Sequence, residues 1–530
     1  MEVIKFYMFL LCVYGSLAID RTTEPQQYGN EIVTATVRKI QDSCIFANDF
    51  QLLRRIAWVE SKFGQLIHDD WNNFQGKGGI WQIDSLKDIQ TRQTTGNKQH
   101  KHKILEEFDV DIDKLNRING DLQVPLNAGL SARLILYLVP KAIPMSLDDQ
   151  AAYWKQYYNT EAGKGTVQHF KDMVKTIPEP CDAPGADLLF IIDSSGSIGA
   201  NDFDLARKFI HDVVQQLEVD GEHYKIGVDD FSSQVSSVIQ FNSYSSKAQL
   251  LDLISSDITY YGENTHMGEA LDHARLNSFT SSQGVRSASL GYPRIAVLIT
   301  DGLPNGNVDT GEAAARLKAA GIDLFTVGVG GGTDEGLLTQ LASNPKCMHT
   351  YMLDSYGALA TNFPDELKIR SCEAVAVPPA SGHEIKNQID QGKSLYFQFS
   401  ANASAGMTFK VSQSSGSVNL YLSRSVRHPS PVEYDRMLAG TGEIYLSPAD
   451  LRLNQQQRNI LIGLANFEVA FWNSFNANQT TAVFGAIKGM EEKNNFTLNY
   501  EQGDTRDDAA SIRTSVCLLA ACLGLYLFFK

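Results

Sequence analysis

Basic residues are in short supply. The 530 residues carry 46 Lys and Arg against 61 Asp and Glu, a net charge of −15, and such a field repels phosphate backbones and anionic lipid surfaces alike. Nucleic acid is excluded as a partner on that ground. Long apolar runs are missing too: the apolar stretches near the two ends, 6–17 and 516–529, fall below the ~17 to 25 residues of a spanning helix. With a mean hydropathy of −0.20, a polytopic membrane protein is excluded. Cysteine is sparse, seven in all, and the spacings fit no zinc site. Internal repeats and low-complexity tracts are absent. What is present is apolar material for several cores, 43% hydrophobic against 20% charged residues, which excludes a mostly disordered chain. At ~150 residues per domain, the length predicts three to four domains.

The ends predict the compartment. Lys5, the apolar run and the small-x-small site Ser16-Leu17-Ala18 have the layout of a secretory signal peptide over 1–18. The 516–529 run is preceded by a polar stretch with Gly503, Asp508, Ala509, Ala510 and Ser511, the layout of a GPI-attachment signal over 503–530; a short single-pass anchor is the alternative. The expected location is therefore the cell surface, reached by the secretory pathway and held there by a lipid anchor. Four cysteines then remain in the mature chain, Cys44, Cys181, Cys347 and Cys372, enough for two disulfides in three possible pairings. Sequons at Asn402, Asn478 and Asn495 predict glycosylation of the last third.

Three textures follow one another. Over 28–177 apolar residues recur at spacings of three and four, in 51–63, 125–138 and 147–158, which predicts an all-α domain. The proline-rich stretch 178–184 reads as a linker. Over about 184–372 short, continuously apolar segments (188–192, 225–228, 295–300, 324–329) alternate with helical patterns near 203–217, 268–277, 311–320 and 334–342. Strands apolar on both faces predict a parallel sheet covered on both sides, a doubly wound α/β domain. Over 378–500 apolar and polar residues alternate, as in 395–400, 407–411, 418–422 and 459–463, which predicts an antiparallel β-sandwich.

In an open parallel sheet, ligands gather beyond the carboxyl ends of the strands. There the sequence places Asp193, Ser195 and Ser197, after 188–192, and Asp301, after 295–300. Carboxylates and hydroxyls are hard oxygen donors suited to Mg²⁺, with Mn²⁺ or Ca²⁺ as related ions. A shell so poor in negative charge leaves room for a carboxylate supplied by a partner. Asp193-x-Ser195-x-Ser197, the segment Gly262-Glu263-Asn264-Thr265-His266-Met267-Gly268 and Thr300-Asp301-Gly302 resemble the three parts of the metal-ion-dependent adhesion site of von Willebrand factor type A domains. The resemblance covers about 184–372. It implies a Rossmann-like fold, adds Thr265 to the ligands, and implies cation-dependent binding of extracellular matrix or cell-surface proteins. Cys181 and Cys372 flank this domain and would clasp its ends, leaving Cys347 for Cys44; the sequence does not choose between this and the other pairings.

In the helical region a step of about 100° per residue puts Glu60 within the arc of Leu52, Leu53, Ile56, Ala57 and Phe63. Burial of a carboxyl raises its pKa, as a general acid for glycosidic cleavage requires. Glu60-Ser61-Lys62-Phe63-Gly64, then Gly79-Ile80-Trp81-Gln82-Ile83-Asp84, then Tyr157-Tyr158-Asn159 resemble motifs of lysozyme-like domains, nearest to goose-type lysozymes and lytic transglycosylases. The resemblance implies Glu60 as acid and Asp84 as the second carboxylate, with Gln82, Tyr158 and Asn159 lining a cleft for peptidoglycan or another amino-sugar glycan. The last region resembles the pre-peptidase C-terminal type of β-sandwich, with Tyr421 and Trp472 expected in its core. Together these features predict a surface adhesion or matrix-binding protein with a glycan-binding head. An active glycosidase or lytic transglycosylase is the alternative.

Overall fold

The computed structural model describes residues 18–67, 69, 71, 76–159, 163, 165–178, 185–378, 383–452 and 480–503. The expected signal peptide (save Ala18), the linker after Pro178, Cys181, Asn478, Trp472, the 459–463 strand and the lipid-attachment segment beyond Gly503 lie outside them, as does any Cys181–Cys372 bridge. The described residues form two compact units. One holds residues 20–287 and 292–376; the other holds 288–291 and the described residues from 377 onward.

The first part of the larger unit is helical: α1 (Asn30–Asp42), α2 (Leu52–Ser61), α3 (Thr95–Phe108), α4 (Pro125–Tyr137), α5 (Leu147–Trp154) and α6 (Val167–Val174), with shorter turns between. Local chemistry sets the boundaries. Pro125 opens α4, where its missing N–H costs nothing, and the side chains of Ser146 and Thr166 cap α5 and α6 by accepting the Asp149 and His169 N–H groups. After α2 the chain turns through left-handed Lys62, Phe63 and Gly64, and Lys62 N bonds back to the Trp58 carbonyl.

The rest of this unit is a six-stranded sheet flanked by helices. Its elements are β1 (Asp187–Asp193), α7 (Gly199–Gln216), β2 (Lys225–Phe231), β3 (Val235–Ile239), α8 (Lys247–Ser256), α9 (Met267–His273), β4 (Arg294–Thr300), α10 (Thr310–Ala319), β5 (Ile322–Val329), α11 (Glu335–Leu341), β6 (Thr350–Leu353) and α12 (Tyr356–Cys372). The strand order is β3-β2-β1-β4-β5-β6. Every residue of β1 and β5 is buried, because alternate residues feed two cores: Phe190 and Ile192 pack on the α7 and α12 side, and Leu189 and Ile191 on the α9 and α10 side. The sheet is mixed rather than wholly parallel, since β3 runs antiparallel to β2. The three residues joining them permit a hairpin but no crossover helix.

A disulfide and several polar contacts join the helical part to the sheet part. Cys44 and Cys347 form a disulfide. At the end of α12, Arg38 Nε pairs with Glu373 Oε1 at 3.1 Å, and Asn48 Nδ2 donates to Glu366 Oε1 at 3.1 Å.

The smaller unit contains β7 (His383–Asp390), β8 (Ser394–Asn402), β9 (Met407–Ser415), β10 (Val418–Ser423), β11 (Arg436–Ala439), β12 (Gly442–Leu446), β13 (Thr480–Gly489) and β14 (Lys493–Gln502). They form two antiparallel sheets, β12-β9-β14-β7 and β11-β10-β13-β8. Phe399 of the second meets Phe409 and Tyr500 of the first at ring separations of 5.0 and 4.8 Å, so apolar faces meet and period-two alternation follows. Tyr421 is buried here. Of the sequons, Asn402 ends β8 with its Oδ1 accepting the Ser404 N–H and hydroxyl, and Asn495 donates to the Ser415 hydroxyl.

Candidate metal centre

Asp193 is the last residue of β1 and fully buried. The parallel register sets Ile192 beside Ile299, so Asp193 and Thr300 close neighbouring strands. Thr300 Oγ1 donates to Asp193 Oδ2 at 2.6 Å, and the Ser195 N–H donates to Oδ1 at 2.8 Å. Both oxygens are thereby fixed in direction while each keeps a lone pair free. The next loop brings Ser195 Oγ within 3.1 Å of Ser197 Oγ, and Ser197 Oγ donates to Asp301 Oδ1 at 2.7 Å.

Thr265 arrives from the loop before α9. Gly262 N–H donates to the Ser194 carbonyl and Gly196 N–H to the Glu263 carbonyl, each at 2.8 Å, which ties that loop to the Asp193 loop. Asn305 then brackets Thr265, its Oδ1 accepting the Thr265 N–H at 2.9 Å and its own N–H reaching the Thr265 carbonyl at 3.0 Å. Gly302 completes the arrangement: a Cβ there would stand 3.3 Å from Ser197 Oγ and 3.7 Å from Thr265 Oγ1. Two carboxylates and three hydroxyls therefore share one rim.

The electrostatics of this rim call for a cation. Burial pushes the Asp193 carboxyl up to about 6, against the pull of the Thr300 and Ser195 bonds, and Asp301 adds to the rise. Burial also raises Asp301. Neither carboxylate is ion-paired with a Lys or Arg among the described residues. Nor do those residues contain a group of three or more His, Cys, Asp or Glu placed to hold a metal ion by themselves. The donors are hard oxygens, most of them neutral, which fits a divalent ion such as Mg²⁺ rather than a thiolate or imidazole metal.

Sequence reasoning missed the residues that hold the ligands in place. Thr300 stands inside the quoted Thr300-Asp301-Gly302 segment, so its position beside Asp193 was open to inference. Asn305 carries no local signal. Tyr356, at the start of α12, has a buried hydroxyl without a hydrogen-bond partner, and burial together with Asp301, Asp193 and Asp202 drives its pKa upward.

With this geometry, comparison with known proteins is decisive for the domain. Residues 187–365 match the family profile of the von Willebrand factor type A domain. This segment is a von Willebrand factor type A domain. Mouse matrilin-3 is 32% identical over 179 residues, 34% of this chain and 36% of that protein. Human matrilin-4 is 32% identical over 206 residues, 39% of this chain and 32% of that protein. The chain thus spans about a third of the length of these relatives. Among solved structures, proximal thread matrix protein 1 from the mussel byssus, one form of which has a zinc-occupied MIDAS motif, aligns with 36% of this chain and 49% of its own at 25% identity and a TM-score of 0.34.

The carboxylate singled out in the helical part stands at the end of α2. Glu60 is half-buried, and the Trp154 indole N–H donates to its Oε1 at 2.9 Å. Trp154 is itself pinned by Gly165, where a Cβ would lie 2.3 Å from the ring. Burial pushes the Glu60 carboxyl up to about 7; the Trp154 bond opposes the shift and Asp84 adds to it. Tyr158 feels both carboxylates, and its hydroxyl donates to the Trp81 carbonyl at 2.7 Å. Trp81 is core, fully buried with its indole bonded to the Leu53 carbonyl. Gln82 turns back on its own loop, donating to the Gly79 carbonyl at 2.7 Å, and Asn159 accepts from Lys155 Nζ at 3.0 Å. Asp84 is exposed.

Proposed function

We propose that this chain acts outside the cell as an adhesion or matrix-binding protein. Asp193, Ser195, Ser197, Thr265 and Asp301 hold a divalent cation, Mg²⁺ first, and a carboxylate from an extracellular protein completes its shell. The observation that carries this reading is the pair of unneutralised carboxylates sharing a rim with three hydroxyls. The test is a Mg²⁺ titration of the purified protein by calorimetry, beside Asp193→Ala. Saturable binding lost in the variant supports the reading, and equal heats from both proteins refute it. Surface retention through a lipid anchor belongs to the same proposal, on the strength of the 503–530 pattern.

A second reading concerns the helical part, which we infer to be a lysozyme-like head that binds amino-sugar glycan. The raised Glu60 carboxyl favours cleavage as well: it keeps a proton near neutral pH, as a general acid must, with Asp84 near enough to act on it through space. Clearing of bacterial walls by the wild type but not by Glu60→Gln supports cleavage. Equal activity of the two removes Glu60 from it.

A further inference from the structure

Within the larger unit a cleft of about 770 Å³ opens between the helical part and the β6 edge of the sheet, a volume in the range of small-molecule sites. Leu136, Ile143 and Met145 line one wall, and Met352 and Leu353 line the other. Cys44 and Cys347, whose disulfide joins the two sides, also face it. The bridge and the Arg38–Glu373 and Asn48–Glu366 contacts hold the walls apart at a set distance, so the cleft exists before any ligand arrives.

Lys141, Glu335 and Lys346 also line the cleft, but Arg133 is the cation that is buried there. Arg133 is 5% exposed, its guanidinium lies over the Phe46 ring at 4.7 Å, and its Nη2 donates to the Ala47 carbonyl at 2.8 Å. That is one bond for a group with five N–H donors. Among the described residues no carboxylate is ion-paired with it. Asp49 acts on it through space, but the Asp49 oxygens are engaged by Leu53 N–H at 2.7 Å and Gln41 Nε2 at 2.8 Å. A buried cation without a paired anion is costly. On the facing wall, Thr350 Oγ1 is also buried without a hydrogen-bond partner.

We propose that this cleft binds a fatty acid, its carboxylate on Arg133 and its hydrocarbon chain along Leu136, Ile143, Met145 and Leu353. The planar guanidinium fork matches a carboxylate in two-point contact, and the aliphatic walls remove the chain from water. Neither the metal centre nor Glu60 takes part, so the proposal stands apart from both readings above.

The experiment titrates palmitate into the purified full chain by calorimetry, with displacement of fluorescent cis-parinaric acid as a second readout. One palmitate per chain is expected. Hexadecanol, with the same chain and no charge, and Arg133→Met should each bind at least about tenfold more weakly. Met352→Trp, at a wall position 38% exposed, should block the cleft without disturbing the fold. No saturable palmitate binding, hexadecanol binding as tightly, or an unaffected Met352→Trp protein would each overturn the proposal. Should Arg133→Met fail to fold, the hexadecanol and Met352→Trp arms decide it.

Discussion

Asp193 and Glu60 are both carboxyl groups pushed up by burial, to about 6 and about 7, yet their surroundings differ in kind. Asp193 has a donor on each oxygen, both from backbone or strand-end positions, and a second carboxylate, Asp301, acts on it through space. Among the described residues Glu60 accepts a hydrogen bond at one oxygen, Oε1, from an indole on another helix. The first arrangement fixes direction and gathers negative charge, which is what a cation needs. The second shields one carboxyl from water and leaves it able to hold a proton. An upward shift alone does not distinguish a metal ligand from an acid; the number and origin of its hydrogen bonds do.

The largest test of this contrast is Asp193→Asn. Without divalent ions the wild type keeps a buried carboxylate whose folded pKa exceeds its unfolded value, so its stability falls as pH rises from about 4 to about 6. The Asn variant should lose that slope and, in Mg²⁺ at a hundredfold excess over its dissociation constant, also lose a stabilisation of about 2.7 kcal/mol. Urea melts with and without the ion measure both effects. Protons should compete with the cation in the wild type, weakening Mg²⁺ binding about tenfold at pH 5 relative to pH 7.

Glu60→Gln comes next. The folded pKa of Glu60 is again raised, so the wild type should lose stability between about pH 4.5 and 7, by at most about 3–4 kcal/mol. The variant should be flat over that window and insensitive to Mg²⁺. A Mg²⁺ effect on its melting that differs from wild type would break the contrast between the two regions. The smallest effect is expected for Trp154→Phe: loss of the indole bond costs about 1 kcal/mol and moves the Glu60 pKa further up, measured by NMR titration of the side-chain carboxyl.

How much of this was legible in the sequence follows from which forces are local. β1, β4 and β5 were legible because continuous apolar runs between glycine-containing turns admit few alternatives. β3 was not: Val235-Ser236-Ser237-Val238-Ile239 is a half-exposed edge whose hydroxyls mask the pattern, and its direction is set by a three-residue turn. Helices α3 and α8 also escaped, their apolar faces being narrow: only Asn97 and Ile104 are buried in the first, and Leu250 and Ile254 in the second. For the metal centre, the residue types at the strand ends were readable, whereas Asn305 and Tyr356 reach the rim only through tertiary packing. For Glu60, the buried arc was readable, but its partner Trp154 lies 94 residues away.

The Cys44–Cys347 bridge spans 303 residues, and Glu60, Trp154, Asp193, Thr265 and Asp301 all lie between its two ends. Tension applied to the chain on either side of the bridge passes through the sulfurs and bypasses everything enclosed. The cation rim would therefore remain mechanically unloaded, and α12, outside the loop, would bear the pull. A single proteolytic cut within the enclosed stretch would likewise release no fragment until the bridge is reduced.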